Sequence, residues 1–122
     1  MEDFISQNYP DVKPQENGVY IVTLKQGKGK NPQIGKRVKI HYLARFINGE
    51  IFSNTYKSNN PFVFTIGKQE VIEGLETGLM KMKEGGKSLI IIPSKLAYGE
   101  EGHKPVPPNS TIIFETELLS VE

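Results

Sequence analysis

Between Val71 and Met82 lies the one stretch of this sequence with helical periodicity, and it carries glycine at positions 74 and 78. A glycine inside a helix costs roughly 0.5–1 kcal/mol relative to alanine. On a helical wheel, Val71, Ile72, Leu75, Leu79 and Met82 form one apolar stripe about 100° wide. Gly74 and Gly78 lie together along one edge of it, and Glu73, Glu76, Thr77, Met80 and Lys81 fill the remaining arc. A bare flank beside a buried face predicts a helix pressed closely onto a sheet, with packing offsetting the weak propensity. Leu79 and Met82 are expected in the core. Val71 and Ile72 begin the helix, where backbone N–H groups lack internal partners. Periodicity leaves these two as either core or the floor of a pocket.

The rest of the chain from Gly18 onward reads as β structure. "GVYIVTLKQG" is a strand ending near Gly27. In "RVKIHYLARF", Val38, Ile40, Tyr42, Ala44 and Phe46 share one face, the pattern of a half-buried antiparallel strand. Asn48-Gly49 supplies a hairpin signal, with a return strand starting at Ile51-Phe52. "SNTYKSNNP", Ser53 to Pro61, predicts a loop or bulge that interrupts that strand. "FVFTIG" resumes it. "SLIIIP" follows the Gly85-Gly86 turn as a buried strand. Ser94 to Ser110 form a long proline-rich loop, and "TIIFETELLSVE" closes the chain as a strand. About five strands and one helix make an α+β arrangement. Residues 1–17 read as an extension or linker, in which Pro10 and Pro14 stop any helix begun by "EDFISQN". Residues 18–122 read as one domain.

Composition removes several kinds of chemistry. The chain has no cysteine, which excludes thiolate nucleophiles and cysteine zinc sites. A formal net charge of +1 gives no electrostatic case for nucleic acid or an anionic membrane. No apolar run approaches the ~20 residues of a membrane span, and no signal peptide is visible at Met1. His41 and His103 are a poor zinc set. Glu70 and Glu73 are better read as a first-turn pair favoured by the helix dipole than as glycosidase carboxylates. Lys25, Lys28 and Lys30 read as a solvated turn.

The stretches "VKIHYLARFINGEIF", "PFVFTIGKQEVIEGLETGLMKMKEGGKSLIIIP", "AYGEEGH" and "VPPNSTIIFETELLSVE" resemble the FKBP-type peptidyl-prolyl cis-trans isomerases from about Gly18 to Glu122. The resemblance implies a half-wrapped antiparallel sheet with one short helix across it. It implies a pocket formed by Tyr42, Phe52, Ser53, Phe62, Ile72, Tyr98 and Phe114, with no nucleophile. Glu70, Val71, Leu75, His103 and Val106 are expected to complete the ligand contacts. The Ile72 N–H and the Tyr98 hydroxyl would donate to ligand carbonyls, and the Glu70 main-chain carbonyl would accept. The expected activity is acceleration of X–Pro rotation during protein folding, without cofactor or metal, by a monomer acting on proline-containing polypeptides. Tacrolimus- and rapamycin-type macrolides are expected as ligands with reduced affinity.

Three positions depart from the family's pattern. Ser53 stands where aspartate is common, Leu75 stands where the floor is often tryptophan, and the loop from His103 to Pro107-Pro108 is one residue shorter. Ser53 and Leu75 point to reduced isomerase activity and keep open a low-activity or inactive chaperone or partner-binding module on the same fold. A carrier of a small apolar ligand is the third reading. The arm before Gly18 resembles linkers of envelope-anchored bacterial members. The expected location is therefore the cell envelope or periplasm if an upstream signal has been removed, and the cytoplasm otherwise.

Overall fold

The computed structural model describes residues 5, 7–10, 12, 14–15, 18–68, 70–99, 102, 106–107 and 109–122. Six strands form one sheet: β1 (Tyr20–Lys25), β2 (Arg37–Phe46), β3 (Ile51–Asn54), β4 (Phe62–Thr65), β5 (Lys87–Ile92) and β6 (Ile112–Val121). Among the described residues, two short α-helices join these strands, α1 (Thr55–Ser58) and α2 (Glu73–Leu79). All strand pairs are antiparallel. The order is β1-β5-β6-β2-β3, with β4 also on β2.

The count of six against about five expected has a local cause. β3 pairs with Leu43, Ala44 and Arg45 of β2, and β4 pairs with Arg37 to Ile40 on the same strand. They are two halves of one interrupted strand. The interruption in "SNTYKSNNP" is a helical turn rather than an open loop. Asn54 caps it, its Oδ1 accepting from the N–H groups of Tyr56 (3.0 Å) and Lys57 (3.3 Å). Asn59 ends it in the left-handed region at φ 53°. The β2–β3 hairpin closes over residues 47–49: the Phe46 N–H donates to Glu50 O, and the Gly49 N–H donates to Phe46 O, both at 2.9 Å. Gly49 sits at φ 95°, which a side chain would resist.

β2 presents Val38, Ile40 and Ala44 to the core as its alternation predicts, with Tyr42 and Phe46 partly buried on the same side. That inner face meets Phe64, Ile90, Ile92, Ile112, Phe114 and Leu118, and α2 covers it with Leu75 and Leu79. α2 is shorter than the apolar stripe. Ile72 is its N-cap with extended dihedrals, and Met80 is its C-cap. Seven residues are too few to hold a helix in water unaided. Close packing holds this one: a Cβ added at Gly74 would fall on Ile92 Cγ2, and one at Gly78 would lie 2.5 Å from Ile90 Cδ1. The bare flank of the helix therefore rests directly on β5. Asn31 secures the chain just beyond it, its Nδ2 donating to Met80 O (3.0 Å) and Met82 O (2.5 Å).

The outer face carries a second cluster of Leu89, Ile91 and Ile113, joined by Tyr20 and Val22. Ile5, only 5% exposed, and Tyr9 from the N-terminal arm pack against it. The Tyr9 N–H donates to Ile5 O at 2.7 Å, a single turn that presents both side chains to the sheet. Pro14 then makes a lone antiparallel bridge to Tyr20. The described part of the arm is thus packed onto the sheet. Among the described residues, no helix is long and apolar enough to cross a membrane.

Candidate functional site

Where the start of α2 meets the inner face, a cavity of about 170 Å³ opens between Tyr42, Phe62, Glu70, Val71, Ile72, Leu75, Tyr98 and Phe114. Five separate segments supply these residues. β2 gives Tyr42, β4 gives Phe62 and β6 gives Phe114. The entry and first turn of α2 give Glu70, Val71, Ile72 and Leu75, and the loop after β5 gives Tyr98. The aromatic walls stand at angles to one another. Tyr42 meets Phe62 edge-on at 6.2 Å and 82°, and meets Phe114 at 5.2 Å and 56°. Phe62 in turn stacks on the buried Phe64 at 5.4 Å. Contacts of this kind fix ring orientation beyond simple burial.

The floor is made by the helix start. Leu75 is 2% exposed, while Val71 and Ile72 are half-buried, so Leu75 serves both core and cavity. The Leu75 and Glu76 N–H groups both donate to Ile72 O, at 3.1 and 3.4 Å. Isoleucine at an N-cap offers no side-chain acceptor, where serine or aspartate would serve the helix better. The helix opening is therefore apolar where it borders the cavity.

Two carboxylates hold the approach to this floor. Glu70 Oε1 accepts from the Thr65 N–H at 3.0 Å, and Glu76 Oε2 accepts from the Gly67 N–H at 2.9 Å. Glu70 lies ahead of α2, so the first-turn acids are Glu73 and Glu76 rather than Glu70 and Glu73. The chain must leave β4 and turn sharply into α2, and its free N–H groups recruit whichever acids stand near. Glu76 was not singled out from the sequence, where it read only as part of the solvent arc.

Tyr98 closes the cavity from a braced loop. The Gly99 N–H donates to Ser94 O at 2.7 Å, and the Gly102 N–H donates to Tyr98 O at 3.0 Å. Gly99 turns the chain at φ 62°, which explains a glycine directly after the tyrosine. Burial, and then the neighbouring Tyr42, push the Tyr98 phenol above its ordinary value. It stays protonated and able to donate.

Three expected site residues, Phe52, Ser53 and Val106, are not part of the cavity lining. Phe52 does not line the cavity but stacks on Phe46 at 4.7 Å and 17°. Ser53 touches the site only through its Oγ, 3.1 Å from the Tyr42 hydroxyl. Val106 is buried in the core cluster at 4% exposure. His103 lies outside the described residues. His41 points from the strand away from the cavity, with Nδ1 2.9 Å from Thr55 Oγ1 and its ring stacked on Tyr56 at 4.7 Å. No group of three or more metal-ligating side chains occurs among the described residues.

A family model for FKBP-type peptidyl-prolyl cis-trans isomerase matches residues 28–119. The chain is 42% identical over 105 residues to FK506-binding protein 4 of Dictyostelium discoideum, covering 85% of this chain and 28% of that protein. It is 41% identical over 107 residues to peptidyl-prolyl cis-trans isomerase Fkbp12 of Drosophila melanogaster, covering 86% of this chain and 99% of that one. Among solved structures, FkpA from Escherichia coli superposes with a TM-score of 0.90 at 36% identity, covering 99% of this chain and 55% of that chain. The chain thus spans little more than a quarter of the Dictyostelium relative and about half of FkpA, but nearly all of Fkbp12. With a family match over most of its length and a relative of equal extent at this identity, the chain belongs to the FKBP-type peptidyl-prolyl cis-trans isomerases.

Proposed function

We propose that residues 18–122 rotate X–Pro bonds in polypeptides by binding the twisted imide in the cavity between Tyr42, Phe62, Leu75 and Phe114. The observation that carries this reading is the character of the lining. It is aromatic and aliphatic, and its one carboxylate, Glu70, is turned to the Thr65 N–H. Such a site offers no nucleophile, and the reaction needs none. Resonance holds the X–Pro bond planar behind a barrier of ~18–20 kcal/mol, and uncatalysed exchange takes tens to hundreds of seconds. Twisting the bond removes that resonance and leaves a less polar carbonyl. A water-poor aromatic cup disfavours the planar form more than the twisted one, and walls shaped to the twisted form bind it preferentially. The Ile72 N–H and the Tyr98 hydroxyl would hold flanking carbonyls. Both faces of the sheet are covered within the chain, one by α2 and one by Ile5 and Tyr9, which favours a monomer.

Exchange NMR on an X–Pro peptide tests the reading directly. Turnover above buffer is expected. A rate equal to buffer at high protein concentration would overturn it and leave a partner-binding module on the same fold. Tyr98→Phe isolates one hydroxyl. A neutral hydrogen bond is worth about 0.5–1.5 kcal/mol net, so kcat/KM is expected to fall roughly three- to tenfold with little change in stability.

The Dictyostelium relative is named for FK506 binding. For this chain we infer tacrolimus-type binding of reduced affinity, because Leu75 leaves the floor without a flat surface and Ser53 gives Tyr42 an uncharged partner. Leu75→Trp is expected to raise macrolide affinity, read by titration, with the melting temperature largely kept. A pure overpacking effect would instead destabilise by ~1–3 kcal/mol without any gain in binding, and would remove Leu75 from the pocket floor.

A further inference from the structure

The interrupted edge of β2 leaves a gap beside the site. β4 pairs with β2 as far as Ile40, and β3 pairs from Leu43 onward. His41 and Tyr42 fall between them. One hydroxyl fills the missing rung. The Tyr42 N–H donates to Thr55 Oγ1 at 2.8 Å, and Thr55 Oγ1 donates to Tyr42 O at 3.2 Å. The third contact is His41 Nδ1 at 2.9 Å. A threonine hydroxyl has one proton and two lone pairs. That proton is shared between Tyr42 O and His41 Nδ1, and in either arrangement one lone pair accepts the Tyr42 N–H.

Thr55 is itself held firmly. It opens α1, whose cap is Asn54, and its carbonyl accepts from the Asn60 N–H at 3.2 Å. The next residue, Tyr56, stacks on His41 and donates to Glu117 Oε1 at 3.1 Å. At the far end of Tyr42, the hydroxyl lies 3.1 Å from Ser53 Oγ. Ser53 and Thr55 thus grip the same tyrosine by its two ends.

We propose that Thr55 is a positioning residue of the isomerase pocket, its hydroxyl setting the backbone of Tyr42 and through it the stance of the ring against Phe114 and Phe62. This rests on the pocket reading above. Thr55 touches no substrate and acts only through Tyr42. A displaced ring still offers apolar surface to a bound proline, but misplacement of a wall degrades the fit to the twisted bond.

Thr55→Val keeps the shape and removes the hydroxyl, whereas Thr55→Ser keeps the hydroxyl. The valine variant is expected to lose about tenfold in kcat with KM little changed. Hydrogen exchange at the Tyr42 amide should accelerate by at least about tenfold while the β5–β6 amides stay protected. The serine variant should recover to within about twofold of the parent rate. A folded valine variant with unchanged kcat overturns the proposal. If the valine variant does not fold, the parent protein decides. In hydrogen exchange the Tyr42 amide should be protected, as its bond to the Thr55 hydroxyl requires. An unprotected Tyr42 amide overturns the proposal. Absence of turnover in the parent protein would sink the isomerase reading instead. Ring contacts between Tyr42 and Phe114 then decide for Thr55: their loss in the valine variant supports it, and their persistence overturns it.

Discussion

Gly74→Ala is expected to destabilise the protein by about 1–3 kcal/mol, although alanine is the better helix former by roughly 1 kcal/mol. The new methyl would fall on Ile92 Cγ2, with Ile92 Cγ1 at 3.0 Å and Cβ at 3.2 Å. These atoms belong to a fully buried side chain near its backbone, not to a flexible end that could swing away. Either β5 yields or α2 lifts. Lifting α2 would move Ile72 and Leu75, so the cavity floor should shift with it and peptide binding should weaken. Chemical denaturation with a proline-peptide titration on the same variant checks both. A neutral or stabilising result would mean that the helix is not seated on β5 as described. Gly78→Ala should act in the same direction and to a similar extent, since its methyl would lie 2.5 Å from Cδ1 and 2.7 Å from both Cγ1 and Cγ2 of the fully buried Ile90.

Ile5→Ala is the second large expectation. Ile5 is buried against Leu89, Ile91 and Ile113. Truncating a buried isoleucine costs about 2–5 kcal/mol, and the lower part of that range is expected for a side chain held by one turn of an arm. Turnover per folded molecule should not change, because the arm and the cavity lie on opposite faces of the sheet. An unchanged denaturation midpoint would show that the arm is only a linker. A fall would show it to be a brace, placing the working boundary of the folded unit before Gly18.

The parts of the fold that were legible in the sequence are those governed by local periodicity. Alternation from Val38 to Phe46 assigned the inner face of β2, and the shared edge of Gly74 and Gly78 foretold the close seat of α2. The cavity lining was legible through family motifs, which named all eight of its residues. What stayed hidden depends on distant partners. Phe52 looks like a pocket residue in its motif, but the ladder shifts register between Ala44 and Arg45, and the ring pairs with Phe46. Ile5 lies in the short stretch "EDFISQN", which is too brief to set a periodic pattern that announces its burial. Thr55 reads as one more polar loop residue. Only the gap between two strands on the edge of β2 gives its hydroxyl a task.

The strand order also bears on how this chain acquires its own structure. β6 is the last strand in sequence, yet it lies between β5 and β2 in the middle of the sheet. Before it docks, there are two separate ribbons, β1 with β5 and β2 with β3 and β4. A growing chain extended as far as Ile92 therefore has most of its strands and no sheet to put them in. Pairings this remote in sequence delay assembly, and sheets dominated by them fold in about milliseconds to seconds. Through that interval the apolar runs "LIII" and "TIIF" are exposed together, an aggregation hazard of its own. The proposed rotation of proline bonds in other chains would thus fall to a protein that must first pass through a slow, late-closing assembly of its own.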